Sequence, residues 1–260
     1  MTVVTDTVSV PGRPVIHAVR GGGKSDPPVL LVHGFSVSSS LWISSGWTGA
    51  LGDAGRAWIA PDLRGHGQSE RLPEPADYCT SVLVDDLVRV LDAAQVSRAD
   101  LVGYSLGGEL VLELAIKYPQ RARYLVVGGI GRERPIEARD MMSLYDTVAR
   151  GEVAALNTPG RHMWAAASRG LGADSLALAA FLAGVGASGP VPGVEDLEHP
   201  VLLFAGSEDP VASGVKDLAA RLPHAELIRL HGHNHNSTLA VPAARKAAIA
   251  WLTEGKPSHA

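Results

Sequence analysis

The 260-residue chain has only one cysteine, Cys79, and no long run of basic residues. A single cysteine excludes an intramolecular disulfide framework and a zinc site built from cysteines alone. A formal net charge of −4 argues against nucleic acid as the main partner. No run approaches the roughly 18 apolar residues of a membrane span, and the N-terminus lacks the basic and apolar regions of a secretory signal. We therefore expect a soluble, cytoplasmic protein with neither a nucleic-acid nor a membrane partner.

Short apolar runs alternate with amphipathic stretches along most of the chain. Val84, Leu87, Val88 and Leu91 fall on one helical face, and a later helical pattern stops at Pro119. Strands that alternate with helices indicate βαβ units and a mostly parallel sheet. The sequence therefore predicts an α/β fold. The expected strands lie at residues 15–19, 29–32, 57–61, 124–127, 201–204 and 227–230, with one more starting at 101, and residues 21–28 are expected to form a loop.

Residues 132–193 break this alternation because they contain no convincing strand and are rich in Ala and Leu. We expect a helical insertion here, within a single core domain formed by residues 1–131 and 194–260. Methionine and aromatic side chains of the insertion could line a cleft, although packing onto the core is the commoner use of such residues. These side chains are Met141, Met142, Tyr145, Met163, Trp164 and Phe181.

The segment Gly103–Gly107 reads Gly-Tyr-Ser-Leu-Gly, which matches the pattern G-x-S-x-G. The pattern is informative only between a buried strand and a helix, and both are predicted on its two sides. Such a turn holds the serine in a strained backbone conformation that exposes its hydroxyl. The helix after Ser105 would direct its free amides at a developing oxyanion. Ser105 is therefore the candidate nucleophile.

With this turn between a strand and a helix at Ser105, the sequence resembles the α/β-hydrolase fold family. Three further stretches carry the resemblance: Val32–Phe35 at a strand end, Pro61–Ser69 after the next strand, and Gly206–Pro210 after a later strand. The resemblance implies a twisted, mostly parallel, eight-stranded sheet flanked by helices. It also implies that the insertion at 132–193 is a helical cap after the sixth strand.

The family order is nucleophile, acid, then histidine. The resemblance favours Asp209 as the acid, because it directly precedes a proline; Glu208 is its close rival. An acid near Glu133 is a further alternative. The histidine comes from the segment His231–His235. Gly232 to His235 has the family's Gly-x-x-His spacing, and His235 lies seven residues before Pro242.

His235 is therefore the predicted base and His233 the alternative, whereas His231 is assigned to the strand end. A metal site formed by these clustered histidines is a weaker hypothesis, because no Cys, Asp or Glu lies close by in sequence. No metal or organic cofactor is expected.

The resemblance also implies an oxyanion hole formed by the backbone amides of Phe35 and Leu106. His33 and His66 would brace the neighbouring loops through hydrogen bonds instead of taking part in catalysis. The candidate substrate-binding residues are Phe35, Tyr104, Met141, Tyr145 and Trp164.

Together these features predict a serine hydrolase that cleaves a small, fairly apolar carboxylic ester or lactone through an acyl-enzyme. The same triad would also support carbon–carbon bond hydrolysis, thioester cleavage or a cofactor-free perhydrolase reaction resembling that of haloperoxidases. A small-molecule receptor on a hydrolase scaffold is the remaining alternative. The sequence does not distinguish these activities and predicts no oligomeric state.

Overall fold

A computed structural model describes residues 6–131, 138–155 and 175–254. The strands in these ranges are β1 (Asp6–Val10), β2 (Ile16–Gly22), β3 (Val29–Val32), β4 (Ala57–Pro61), β5 (Ala99–Tyr104), β6 (Ala122–Gly128), β7 (Val201–Gly206) and β8 (Ala225–Leu230). They form one sheet in the order β1-β2-β4-β3-β5-β6-β7-β8. β2 pairs antiparallel with β1 and β4, and the other neighbours pair parallel. The predicted mostly parallel α/β sheet is confirmed.

The central strands are buried on both faces, as their continuous apolar runs predict. Every residue of β3, β5 and β7 is buried. Helices cover both faces of the sheet. The α-helices of the described ranges are α1 (Ser40–Ser44), α2 (Trp47–Asp53), α3 (Thr80–Ala93), α4 (Leu106–Lys117), α5 (Ala138–Ala149), α6 (Ser175–Ala187), α7 (Val215–Arg221), α8 (His235–Thr238) and α9 (Pro242–Glu254).

Two apolar clusters lie on the two faces of this sheet. The cluster with α3 and α4 contains most of the predicted stripe of α3, with Val84, Leu87 and Leu91 buried. The other cluster packs α2 and α9 around Trp42, Trp47 and other aromatic side chains. In the described part of the chain, no helix combines the length and apolar character needed to cross a bilayer.

The N-terminal hairpin differs from the prediction. β1 has no counterpart among the predicted strands, and β2 runs through Gly21 and Gly22 into what was expected to be a loop. A Cβ at Gly22 would lie 2.2 Å from the carbonyl oxygen of Arg56, and one at Gly23 would lie 2.1 Å from that of Gly55. These glycines therefore allow two backbones to approach closely, a use that looks the same in sequence as a flexible loop.

Two helices of the described chain, α5 and α6, lie between β6 and β7 and pack on each other. α6 also packs on a short 3₁₀ helix, Pro75–Tyr78, where a Cβ at Gly184 would lie 2.1 Å from the carbonyl oxygen of Pro75. Both helices belong to the stretch expected to be helical. The division into a core and a cap at 132–193 stays a prediction.

Candidate active site

Ser105 lies on a tight turn between β5 and α4. Its backbone has φ 56° and ψ −128°, a conformation that side-chain-bearing residues adopt rarely. A Cβ at Gly103 would lie 2.2 Å from the carbonyl oxygen of Gly107, and one at Gly107 would lie 2.0 Å from that of Val32. The two glycines of the motif therefore let β3, β5 and α4 meet closely enough to hold the serine in this conformation.

Asp209 and His235 meet at the same edge of the sheet, after β7 and β8. The Asp209 side chain is fully buried, and its Oδ2 accepts a hydrogen bond of 2.8 Å from Nδ1 of His235. Its other oxygen accepts bonds from the backbone amides of Val211 and Ala212, at 2.9 and 3.3 Å. An ionised carboxylate only accepts hydrogen bonds, so Nδ1 of His235 is the donor in this contact and Nε2 is the ring nitrogen left for another partner.

The alternatives to these two residues do not take part in this contact. His233 directs Nδ1 toward the hydroxyl of Ser237 at 3.2 Å, and Glu208 is exposed. Glu133, the other alternative acid, lies outside the described residues. Within the described ranges, no group of three or more His, Cys, Asp or Glu side chains is arranged to hold a metal ion.

A capping box holds the first turn of α8, which His235 begins. The Asn234 side chain accepts hydrogen bonds from the amides of Asn236 and Ser237, while the Ser237 hydroxyl accepts one from the Asn234 amide. This reciprocal arrangement satisfies amides that a helix start leaves free. It fixes the direction in which α8 leaves the loop that carries His235.

His33 and His66 are buried neutral histidines that join loops beside Ser105. Nε2 of His33 accepts a bond from the Leu63 amide, and Nε2 of His66 accepts one from the Ser36 amide. Burial lowers the pKa of His33, and it lowers the pKa of His66 to about 3. Both contacts agree with the bracing role predicted for these residues.

The loop after β3 passes directly beside Ser105. A Cβ at Gly34 would lie 3.0 Å from Cβ of Ser105 and 3.5 Å from its hydroxyl oxygen. Phe35 follows in this loop, and Leu106 is the first residue of α4, where amides have no acceptor within the helix. Among the described residues, none accepts a hydrogen bond from either amide. The two amides are therefore available to an oxygen of a bound molecule.

A cavity of about 170 Å³ opens next to Ser105, and its lining is largely apolar. Phe35 and Met141, both predicted as substrate-binding residues, line it. Phe181, named from the sequence as a possible cleft residue, and Leu106, named for its amide, also line it. The other lining residues were not predicted, and for the apolar ones the reason is that their spacing on a helix or at a strand end is equally typical of core packing. These residues are Glu109, Ile130, Gly131, Leu182, Val185 and Val211.

The other candidate substrate-binding residues lie elsewhere. Tyr104 is buried under the His235 ring, with ring centroids 5.2 Å apart, and does not line the cavity. Alternate residues of a strand face opposite sides of the sheet, and Tyr104 belongs to the cluster with α2 and α9. Tyr145 packs on the cluster around Met141 instead of lining the cavity, and Trp164 lies outside the described residues.

Comparisons with known proteins agree with this architecture. The chain is 42% identical over 112 residues to 2-hydroxymuconate semialdehyde hydrolase of Pseudomonas sp. (strain CF600), a match that covers 42% of this chain and only 38% of that protein. It is 27% identical over 256 residues to the putative carbamate hydrolase RutD of Caulobacter vibrioides, covering 87% of this chain and 90% of the relative.

Solved structures share the fold over nearly the whole chain. The enol-lactonase of Burkholderia xenovorans LB400 superposes with a TM-score of 0.80 at 20% identity, covering 96% of this chain and all of that one. The 2-hydroxy-6-oxo-6-phenylhexa-2,4-dienoate hydrolase of Rhodococcus sp. strain RHA1 gives a TM-score of 0.72 at 20% identity, with 96% of this chain and 98% of that one covered.

A family model described as the alpha/beta hydrolase fold matches residues 27–176, which is more than half of the chain. The match includes β3, β5, α4 and Ser105 on its turn. The chain belongs to the alpha/beta hydrolase fold family.

Proposed function

We propose that the protein is a serine hydrolase that cleaves a small, fairly apolar carboxylic ester or lactone. The observation that carries the proposal is the 2.8 Å hydrogen bond between His235 and the buried carboxylate of Asp209, at the sheet edge where Ser105 lies on its strained turn. A serine hydroxyl is a weak nucleophile unless a base, itself oriented by a third group, removes its proton. These three residues match those roles.

The reaction has two steps in this proposal. The Ser105 oxygen attacks the carbonyl carbon of the substrate while its proton passes to Nε2 of His235. The carbon–oxygen bond to the leaving alcohol then breaks, and His235 returns the proton to that alcohol, leaving an ester on Ser105. A water molecule attacks this ester with His235 as base, and the acid product leaves as the Ser105 hydroxyl is restored.

The amides of Phe35 and Leu106 are the proposed donors to the oxyanion that forms in both steps. Each such donor typically contributes about 3 kcal/mol of transition-state stabilisation. α4 adds the positive end of its dipole, since Leu106 is its first residue. Asp209 holds the proton on Nδ1 of His235, which keeps Nε2 free to accept.

The volume and the lining of the cavity favour a small apolar group on the substrate. An apolar cavity of about 150 Å³ accommodates benzene, and the cavity beside Ser105 measures about 170 Å³. The lining is apolar at Phe35, Met141 and Phe181, and the acidic side chain of Glu109 beside them offers no positive charge to compensate an anionic group on the substrate. The substrate group that enters this cavity is therefore proposed to be uncharged and about the size of a phenyl ring or a short alkyl chain.

Carbon–carbon bond hydrolysis is a second candidate, because 2-hydroxymuconate semialdehyde hydrolases are among the relatives that match at 42% identity. Those matches cover less than two fifths of each relative. A direct comparison of 2-hydroxymuconate semialdehyde with phenyl acetate as substrates distinguishes the two candidates, since the preferred reaction shows the larger kcat/KM.

The test of the proposal is labelling with a fluorophosphonate probe, followed by hydrolysis of 4-nitrophenyl esters of increasing acyl length. The wild-type protein and Ser81→Ala, which alters an exposed serine, are expected to label and turn over the short esters. Ser105→Ala is expected to do neither, with a loss of kcat of at least about 10⁴-fold. Equal labelling or equal turnover of wild type and Ser105→Ala contradicts a serine-hydrolase function.

A further inference from the structure

Tyr104 connects the strand of the proposed nucleophile to the segment of the proposed base. It is the last residue of β5 and directly precedes Ser105. Its hydroxyl donates a hydrogen bond to the backbone carbonyl oxygen of His235, which lies 131 residues later in the chain. The bond therefore ties the backbone that carries the imidazole to the turn that carries the serine.

The packing of the Tyr104 ring holds the hydroxyl in this place. The ring is 95% buried and lies against Phe204, with centroids 5.8 Å apart. Gly129 has φ +66°, and a Cβ there would lie 2.7 Å from Cζ of Tyr104. The glycine after β6 thus leaves room for the ring, and these contacts do not depend on the hydroxyl.

Other contacts hold the imidazole of His235 and the start of its helix. Asp209 holds the imidazole at Nδ1, and the Asn234 capping box sets the direction of α8. Among the described hydrogen bonds, the one from Tyr104 is the bond that joins the His235 backbone to β5. It therefore ties the main chain of the proposed base to the strand that leads to Ser105.

We propose that Tyr104 is a positioning residue for the base, which places Nε2 of His235 at the distance that proton transfer from Ser105 requires. The inference rests on the proposed function, because it assigns to Tyr104 a part in the reaction of that same site. Small displacements of reacting groups reduce rates strongly. Loss of the hydroxyl should therefore lower kcat and leave KM unchanged, because Tyr104 does not line the cavity.

Tyr104→Phe tests this proposal, because it keeps the ring and removes only the hydroxyl. We expect kcat for 4-nitrophenyl acetate, and the rate of fluorophosphonate labelling, to fall about tenfold with KM nearly constant. The downfield proton resonance of Nδ1 of His235 should shift or broaden. Replacing Tyr104 with 4-aminophenylalanine restores a donor at the same point and should recover most of the rate.

Tyr118→Phe is the matched control, since it removes a hydroxyl that binds Asp85 far from Ser105. Thermal melting of each variant gives the loss of stability, and rates are measured well below the lowest melting temperature. The proposal is overturned if Tyr104→Phe keeps the wild-type kcat, if it and Tyr118→Phe lose activity equally, or if 4-aminophenylalanine restores nothing. Failure of the proposed function itself is a separate result, because then the wild-type protein neither labels nor hydrolyses the ester.

Discussion

His33, His66 and His235 differ in what surrounds their rings. His33 and His66 are fully buried and bind backbone groups, which favours the neutral form. His235 is partly exposed, with a carboxylate at Nδ1. The first two are suited to hold loops in place, whereas only the third combines a fixed tautomer with an accessible nitrogen.

Replacing His235 and His233 one at a time distinguishes which of the two histidines is the base. His235→Ala is expected to reduce kcat by at least about 10⁴-fold, because the proton of Ser105 then has no acceptor. His233→Ala removes an imidazole of the same loop that contacts Ser237 instead of Asp209, and should keep most of the activity. Steady-state hydrolysis of 4-nitrophenyl acetate measures both. The reverse ranking of the two variants would assign the base to His233.

The pH dependence of stability should report the burial of His66. Its pKa is about 3 in the folded protein and 6.5 in a solvated chain, so between these values the unfolded state binds the extra proton. The free energy of unfolding therefore falls as the pH decreases below 6.5, by about 2 to 3 kcal/mol from this residue by pH 4.5.

Urea denaturation of wild type and His66→Asn at pH 7 and pH 4.5 measures this contribution. The variant should lose less stability over this interval than wild type. His224→Asn, which alters an exposed histidine, is the control. Its free energy of unfolding should fall between pH 7 and pH 4.5 by the same amount as that of wild type. If wild type and His66→Asn lose the same free energy of unfolding between pH 7 and pH 4.5, protonation of His66 does not oppose folding.

At the scale of elements, α5 and α6 shape the cavity next to Ser105. Met141 on α5 and Phe181, Leu182 and Val185 on α6 contribute lining side chains. Phe181 also lies against the ring of His66, with centroids 4.4 Å apart. The packing of these two helices on each other therefore determines the space available to a substrate.

Gly186 on α6 is a point where this packing can be changed from outside the cavity. A Cβ there would lie 2.5 Å from Sδ of Met141, so Gly186→Ala should displace the Met141 side chain into the cavity, the open space beside it. We expect kcat/KM to fall about tenfold for the longer 4-nitrophenyl esters and to stay nearly unchanged for the acetate. Gly49→Ala, in a helix with open space around the new Cβ, is the control.

A uniform effect of Gly186→Ala on all acyl lengths would contradict this explanation. The role of Gly186 was not predicted from the sequence, because a glycine in an Ala-rich helix has the same pattern whether or not a side chain packs against it. The helices themselves were predictable, since the segment lacks strand patterns and is rich in Ala and Leu.

At the scale of the whole molecule, a buried carboxylate joins the far end of the sheet to the last helix. Asp100, at the start of β5, is fully buried and binds the guanidinium groups of Arg56 and Arg123. Both arginines also donate to the carbonyl oxygen of Leu252 near the end of α9. This cluster lies at the amino ends of the parallel strands, opposite the edge that carries Ser105.

Asp100→Asn is expected to lower the free energy of unfolding by about 3 to 5 kcal/mol, because it leaves two guanidinium groups without their buried counter-charge. Asp92→Asn, which removes an exposed carboxylate paired with Arg121, should cost at most about 1 kcal/mol. Urea denaturation measures both values, and kcat well below the melting temperature should stay at the wild-type level. A similar small loss in both variants would show that the Asp100 cluster adds no more than a surface pair.

Local patterns in the sequence determined the architecture of this protein. Continuous apolar runs predicted the buried strands, and the glycines of Gly103–Gly107 predicted the tight turn at Ser105, because both depend on residues adjacent in the chain. β1 was not predicted, because this short edge strand is held by its antiparallel pairing with β2 and not by a buried apolar run of its own.

Tertiary structure decided contacts that no local pattern indicated. The resemblance implied the pairing of Asp209 with His235, which a hydrogen bond joins in the structure, whereas nothing in the sequence indicated that the Tyr104 hydroxyl reaches His235 across 131 residues. Tyr104 was predicted to bind substrate, but the alternation of side chains along β5 places it in the cluster with α2 and α9. Sequence spacing does not encode such contacts, because they depend on how separate elements pack in space.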